Sequence, residues 1–117
     1  MARRFRGFYP VVIDVETGGF DEKKDALLEV AAVTMTIDES GHMKTSGEYQ
    51  CHINPFEGAN MDPASLEING IDPHHPFRIA IAKDEETGMR ELFRFIHKEM
   101  KPHKCKRAIM IGHNTTM

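Results

Sequence analysis

The run Phe8 to Glu16 (FYPVVIDVE) constrains this chain more than any other segment. It is β-branched and almost wholly apolar as far as Asp14, the pattern of a strand covered on both faces in an α/β or mixed sheet. Thr17-Gly18-Gly19 then breaks it. Side chains two apart on a strand share a face, so Asp14 and Glu16 project together from its carboxyl end while Val15 packs on the other side. Two hard oxygen ligands suit magnesium or manganese, and paired metals can activate water and steady a leaving oxygen in phosphodiester cleavage. Ligands of open α/β sheets also settle at the carboxyl ends of strands. The bare spacing leaves a plainer reading open, that of a strand that simply surfaces at its end. Against it, two neighbouring carboxylates beside a buried apolar run repel each other unless a cation intervenes.

The rest of the chain supplies closely spaced elements and no linker or repeat. Ala26 to Asp38 (ALLEVAAVTMTID) predicts a second strand with a helix-ambiguous beginning, followed by a turn at Ser40-Gly41-His42. Glu48 to Ile53 pairs back as a third, antiparallel strand, since a short connection permits only that. Asn54 to Pro76 reads as a loop containing one helical turn, Asp62 to Glu67, with Asp at the cap and Pro in the first turn. From Asp84 onward, Met89, Leu92, Phe93, Ile96 and Met100 fall at amphipathic-helix spacing, and the stripe reads as core. That helix stops at Pro102. Arg107 to Ile111 is a last short apolar strand.

Length and charge narrow the function classes. A chain of 117 residues, 40% hydrophobic and 28% charged, has the dimensions of one ordinary domain. Its apolar runs are too short for a membrane span or a signal peptide, so a cytoplasmic protein without a membrane partner is expected. Cys51 and Cys105 form no disulfide framework, and with His52 and His103 they lack zinc-ligand spacing. His74-His75 sits in a proline-bounded turn and reads as solvated. The net charge of −3 conceals an uneven distribution. Arg3, Arg4 and Arg6 lie at one end, Lys101, Lys104, Lys106 and Arg107 at the other, and all 18 acids lie between them. Such ends suit a polyanion, or they are two solvated basic segments.

Val12-Ile13-Asp14-Val15-Glu16-Thr17-Gly18-Gly19-Phe20 resembles the first motif of the DEDD-type 3′-5′ exonucleases, which have a ribonuclease H-like fold. Arg4 to Pro10, Asp25 to Glu29, Asn69 to Pro73, and Arg107 through Asn114 extend the likeness over essentially the whole chain, toward the bacterial ribonuclease T family. The resemblance implies an α/β, ribonuclease H-like mixed sheet that is incomplete. Three meandering strands, a short helix, one long helix and a fourth strand parallel to the first are present; the later helices and last strand are missing. Residues 1–117 are then the N-terminal part of a single exonuclease domain. Apolar surface that the missing elements would cover should be exposed, favouring a homodimer.

The implied activity is trimming of single-stranded 3′ ends of tRNA and other stable RNAs by two-metal phosphodiester hydrolysis, with Mg2+ as cofactor. Asp14 and Glu16 match the first two metal ligands. The second motif reads roughly H-N-x-x-F-D, and the chain reaches His113-Asn114-Thr115-Thr116-Met117 and stops before the aspartate; none of its histidines matches the family's general base. The 117-residue chain alone is therefore expected to be inactive and to bind metal weakly or not at all. Phe20 matches an aromatic that stacks on terminal bases, although a core or hinge role stays open; two further stacking positions fall on Ile68 and Met117. Arg4, Arg6 and Arg107 match the family's RNA-binding patch. The alternative expectation is a non-catalytic remnant that binds RNA or dimerises.

Overall fold

The computed structural model describes residues 4–21 and 23–112. Strands β1 (Phe8–Thr17), β2 (Leu27–Ile37) and β3 (Met43–His52) come first. Helices α1 (Pro63–Asn69), α2 (Pro76–Ile81) and α3 (Glu85–Met100) follow, and a 3-10 turn at Lys101–His103 leads into β4 (Arg107–Ile111). Hydrogen bonds join the strands in the order β3-β2-β1-β4. β4 is parallel to β1, with Phe8 opposite Arg107 and Val12 opposite Ile111. Asp38 and His42 close the β2–β3 turn, Asp38 N–H donating to the His42 carbonyl at 2.9 Å. A connection that short permits only antiparallel neighbours, so the sheet is mixed, as expected for this α/β class.

The described residues group into two compact units, 4–14 with 31–49 and 91–112, and 15–21 with 23–30 and 50–90. In the first, Tyr9, Val11, Ala32, Leu92, Ile96, Met100 and Cys105 are buried. Tyr9 keeps its hydroxyl satisfied by donating to the Met35 carbonyl at 3.0 Å, which lets a polar ring sit in the core. The helical stripe is narrower than its spacing suggests. Phe93 is 44% exposed, because it lies about 100° around the helix from Leu92. Coverage of β1 on both faces is also not realised. Tyr9, Pro10 and Val11 are buried, but Phe8 and Val12 are partly exposed, and Ile109, Met110 and Ile111 on β4 are 44–47% exposed. Apolar surface thus remains open along the β1–β4 pair.

In the second unit Ala26, Leu28, Val30, Cys51 and Ile53 form the core. The ambiguous start of β2 resolves as strand because alternate residues from Ala26 to Val30 are buried. Helix α1 begins as its cap predicts, with Asp62 accepting from the Ala64 N–H at 3.0 Å. Helix α2 has no counterpart in the sequence reading. His75, not a usual capping residue, caps it by accepting from the Phe77 N–H through Nδ1 at 3.2 Å, and Pro76 supplies the first turn. His74 and His75 are exposed, as a solvated turn requires. Among the described residues no helix is long and apolar enough to cross a membrane.

Candidate active site

The carboxyl end of β1 carries Asp14 and Glu16 as alternate residues of one continuous strand, which puts them on one face. Asp14 is exposed and Glu16 half-buried. Val15 does not pack away on the opposite side: it is 41% exposed. Both carboxylates are hard oxygen donors of the type a divalent cation takes. Among the described residues no group of three or more His, Cys, Asp or Glu side chains is arranged to hold a metal. The donor set therefore fits a cation in part, with two ligands from β1.

What holds the end of β1 is a latch within the second unit. The Thr17 carbonyl accepts from the Asn69 side-chain amide at 3.0 Å, fastening the end of α1 to the strand. Gly18 donates to Ala26 at 2.8 Å and accepts from the Asp62 N–H at 2.6 Å. A side chain at Gly19 would collide with the Asp25 carboxylate, so the Gly-Gly pair is required by close approach. Asp25 accepts from the Asp21 N–H and the Asn60 amide, both at 2.8 Å. The Asp21 N–H, then Asn60, hold the Asp25 carboxyl below its ordinary value of 3.8, with Lys24 adding to the effect.

A pKa lowered in the folded state contributes stability that is complete above the unfolded value and is lost as pH falls through the folded one. Protection of the Asp21 amide from hydrogen exchange, corrected for intrinsic rate, is therefore expected to hold above about pH 4. It should fall as the solution is acidified further, and Asp25→Asn should remove that dependence. Acid-independent protection in the unsubstituted chain would show that Asp25 is not the latch.

Phe20 follows the Gly-Gly bend and is 77% exposed, while Ile68, on α1, is 86% exposed. Exposure removes the core role that the sequence left open for Phe20. Met117, with His113 and Asn114, lies outside the described residues. Arg6 and Arg107 line one open cleft in the first unit. Arg4 is placed elsewhere, donating to the Gly41 carbonyl in the β2–β3 turn at 3.1 Å. Cys51 and Cys105 are buried free thiols.

The sequence reading missed Arg78. This α2 residue is only 7% exposed, and its Nη2 donates to the carbonyls of Leu28 at 2.5 Å and Ile53 at 2.6 Å. Burial pushes its pKa down, while Glu29 and Asp72 oppose that shift. Its Nε and Nη1 are buried without a hydrogen-bond partner. An arginine in a short segment rich in Ile and Ala carries no periodic signal; the unusual cap at His75 was the one available clue.

Comparison with known proteins gives the class. A family profile described as exonuclease, of the RNase T type, matches residues 11–116, and the chain belongs to that exonuclease family. Among curated relatives it is similar to ribonuclease T of Enterobacter sp. (strain 638), 51% identical over 113 residues, covering 97% of this chain and 50% of the relative. Ribonuclease T of Marinobacter nauticus is 50% identical over 116 residues, covering 99% and 52%. The chain thus spans about half the length of these relatives. Solved structures share the fold: E. coli exonuclease I in complex with a dT13 oligonucleotide (TM-score 0.59, 18% identity, 92% of this chain and 20% of that one). Exonuclease I of Methylocaldum szegediense gives TM-score 0.62 at 19% identity, with 92% and 20% coverage.

Proposed function

We propose that this chain is the N-terminal part, residues 1–117, of a single exonuclease domain that trims single-stranded 3′ ends of tRNA and other stable RNAs. The observation that carries the reading is the pair Asp14 and Glu16 on one face at the end of β1, inside the region that matches the exonuclease family. These carboxylates would hold the divalent cation, Mg2+ in this reading. When bound, the cation supplies Lewis-acid charge at the scissile phosphate. Phe20 and Ile68 offer apolar surface to terminal bases, with Met117 as a third position; stacking on an aromatic is worth about 1–3 kcal/mol per base. Arg4, Arg6 and Arg107 attract the phosphate backbone. The reading is supported by about 50% identity to proteins named ribonuclease T and by an exonuclease I neighbour solved with single-stranded DNA.

With two carboxylates and no third grouped with them among the described residues, the 117-residue chain alone is inactive in this reading. In this reading the protein is cytoplasmic, and the 117-residue chain pairs as a homodimer whose contact buries the open apolar surface of the β1–β4 pair. A second reading, a non-catalytic RNA-binding or dimerising protein, is favoured by the same incomplete ligand set. Reading the coding DNA beyond codon 117 separates the two. An in-frame aspartate next, with a later H-x4-D, is the expected result; a stop codon overturns the enzyme in favour of the binder. Magnesium-dependent nucleotide release by the purified 117-residue chain, abolished by Asp14→Ala, would refute its inactivity.

A further inference from the structure

Helix α2 lies like a strap on the second unit, and different chemistry fastens its two ends. Beyond its far end the main chain is bonded to the end of β3 and the residues after it. The Lys83 N–H donates to the His52 carbonyl at 2.9 Å, and the Asn54 N–H donates to the Lys83 carbonyl at 2.8 Å. These are backbone bonds, which do not titrate. At the near end the Phe77 N–H donates to His75 Nδ1 at 3.2 Å. A ring nitrogen that accepts must be unprotonated, so this bond belongs to the neutral imidazole with its proton on Nε2. The usual caps, Asp, Asn, Ser and Thr, keep their acceptor near neutral pH. A histidine loses it on taking up a proton.

The grip of the strap sits directly beside that cap. Pro76, Phe77 and Arg78 open the helix, and Arg78 Nη2 donates to the Leu28 and Ile53 carbonyls, tying the start of β2 and the chain after β3 to α2. The Ile79 N–H donates to the His75 carbonyl at 3.0 Å in the same turn. Protonation of His75 removes the acceptor and also puts a cation at the positive end of a helix. One effect opposes these. The His75 and Phe77 rings stack with centroids 5.6 Å apart, and an imidazolium is drawn to an aromatic face. The lost cap counts for about fivefold in the opening equilibrium and the end charge for about twofold, against about threefold for the ring attraction. Opening therefore wins by about threefold.

We infer that His75 makes α2 a pH-operated clasp: closed while the imidazole is neutral, and opening from its first turn, Arg78 included, when the ring takes up a proton. The cap's contribution is complete above the imidazole range, near pH 6.5 in model peptides, and is lost as pH falls through it. Asp72 and His74 precede the cap, Arg78 follows it, Glu29 of β2 and Asp72 both act on Arg78, and His52 and Lys83 hold the far fastening. Carboxylates, lysine and arginine keep their charges between about pH 5.5 and 8. Within that window His52 and His74 are the neighbours whose titration must be told apart from that of His75. The clasp needs neither metal nor nucleic acid, so it is independent of the nuclease reading.

The test is amide hydrogen exchange of the 117-residue chain, followed by NMR between about pH 5.5 and 8 and corrected for intrinsic rate. On acidification the opening equilibrium at Phe77 and Ile79 is expected to rise about threefold. The Asn54 amide, at the far fastening, should change much less. Arg78 Nε–H, buried in the closed form, should lose protection in step with Ile79. His75→Asn, a cap that does not titrate, should keep the protection and abolish its pH dependence; His75→Ala should open the turn about fivefold at all pH values in the window.

A pH dependence that survives in His75→Asn overturns the inference, because His52 or His74 would be its source. Equal changes at Asn54 and Ile79 overturn it as well, since acid would then be loosening the whole second unit. Protection that stays constant or rises on acidification would mean that the ring attraction matches or outweighs the cap, and the clasp would be wrong. Arg78 Nε–H protection that persists while Ile79 loses its own would confine the change to the cap and equally rule out the clasp.

Discussion

Arg78→Met is expected to lower the unfolding free energy by about 3 kcal/mol, a shift of about 2 M in the urea midpoint with little change in slope. The methionine keeps an apolar stem of similar length, so the loss isolates the donors. Two carbonyls, Leu28 at the start of β2 and Ile53 beyond the end of β3, receive their side-chain bonds from Nη2. Removing one partner of a buried hydrogen bond strands the other at about 1–3 kcal/mol, a cost that falls on the Ile53 carbonyl, since the Leu28 carbonyl keeps its bond from the Ile53 N–H at 2.8 Å. An opposing effect is real. Nε and Nη1 are already buried without partners, and replacing a poorly compensated buried charge with an apolar group can be neutral or stabilising. Glu29 and Asp72 offset part of that charge penalty, which tips the balance toward loss. Arg78→Lys, keeping the charge but not the planar fork, should recover part of the deficit. A midpoint for Arg78→Met that is unchanged or higher would mean that the unpaired nitrogens outweigh the two carbonyl bonds.

Arg78 also marks where sequence reasoning stops. Elements that announce themselves by periodicity or by a strong stop were legible: β1 from its apolar run, α1 from Asp62-Pro63, α3 from its stripe, and β4 from its position after Pro102. Each owes its signal to burial on one face or to a backbone constraint that is local in sequence. β3 extends back to Met43, through Lys44, Thr45, Ser46 and Gly47. These polar residues form strand because β2 offers a partner across a tight turn, a cause that no local propensity records. Helix α2 is held by a histidine cap and by a guanidinium reaching residues 50 and 25 positions away in sequence. Such contacts are tertiary, and hydropathy assigns the arginine to solvent.

The site divides along the same line. Asp14, Glu16 and the Gly-Gly bend were legible because their chemistry is local to one strand end. The latch that secures them was not, because Asp25, Asn60 and Asn69 act through bonds spanning 4 to 52 residues. The cleft was half legible. Its charge stood out in composition, but the left-handed backbone of two of its lining residues, Arg6 at φ 54° and Lys104 at φ 55°, is a property of the folded chain alone.

Neutralising Asp14 or Glu16 should each cost nearly as much metal affinity as neutralising both. Mn2+ binding, followed by the loss of its free-ion EPR signal, is expected to weaken on the order of 100-fold for Asp14→Asn and for Glu16→Gln, which is about 2.7 kcal/mol. The figure sits at or above the roughly 10–100-fold that losing even an outer partner of a metal ligand costs. Non-additivity follows from the ligand count. With two carboxylates and no larger acidic group among the described residues, a site that loses one retains a single oxygen ligand, little better than any surface carboxylate. The double variant therefore has almost nothing further to lose. Additive losses for the two substitutions would show that each carboxylate binds metal on its own, and the shared-face site on β1 would then be wrong.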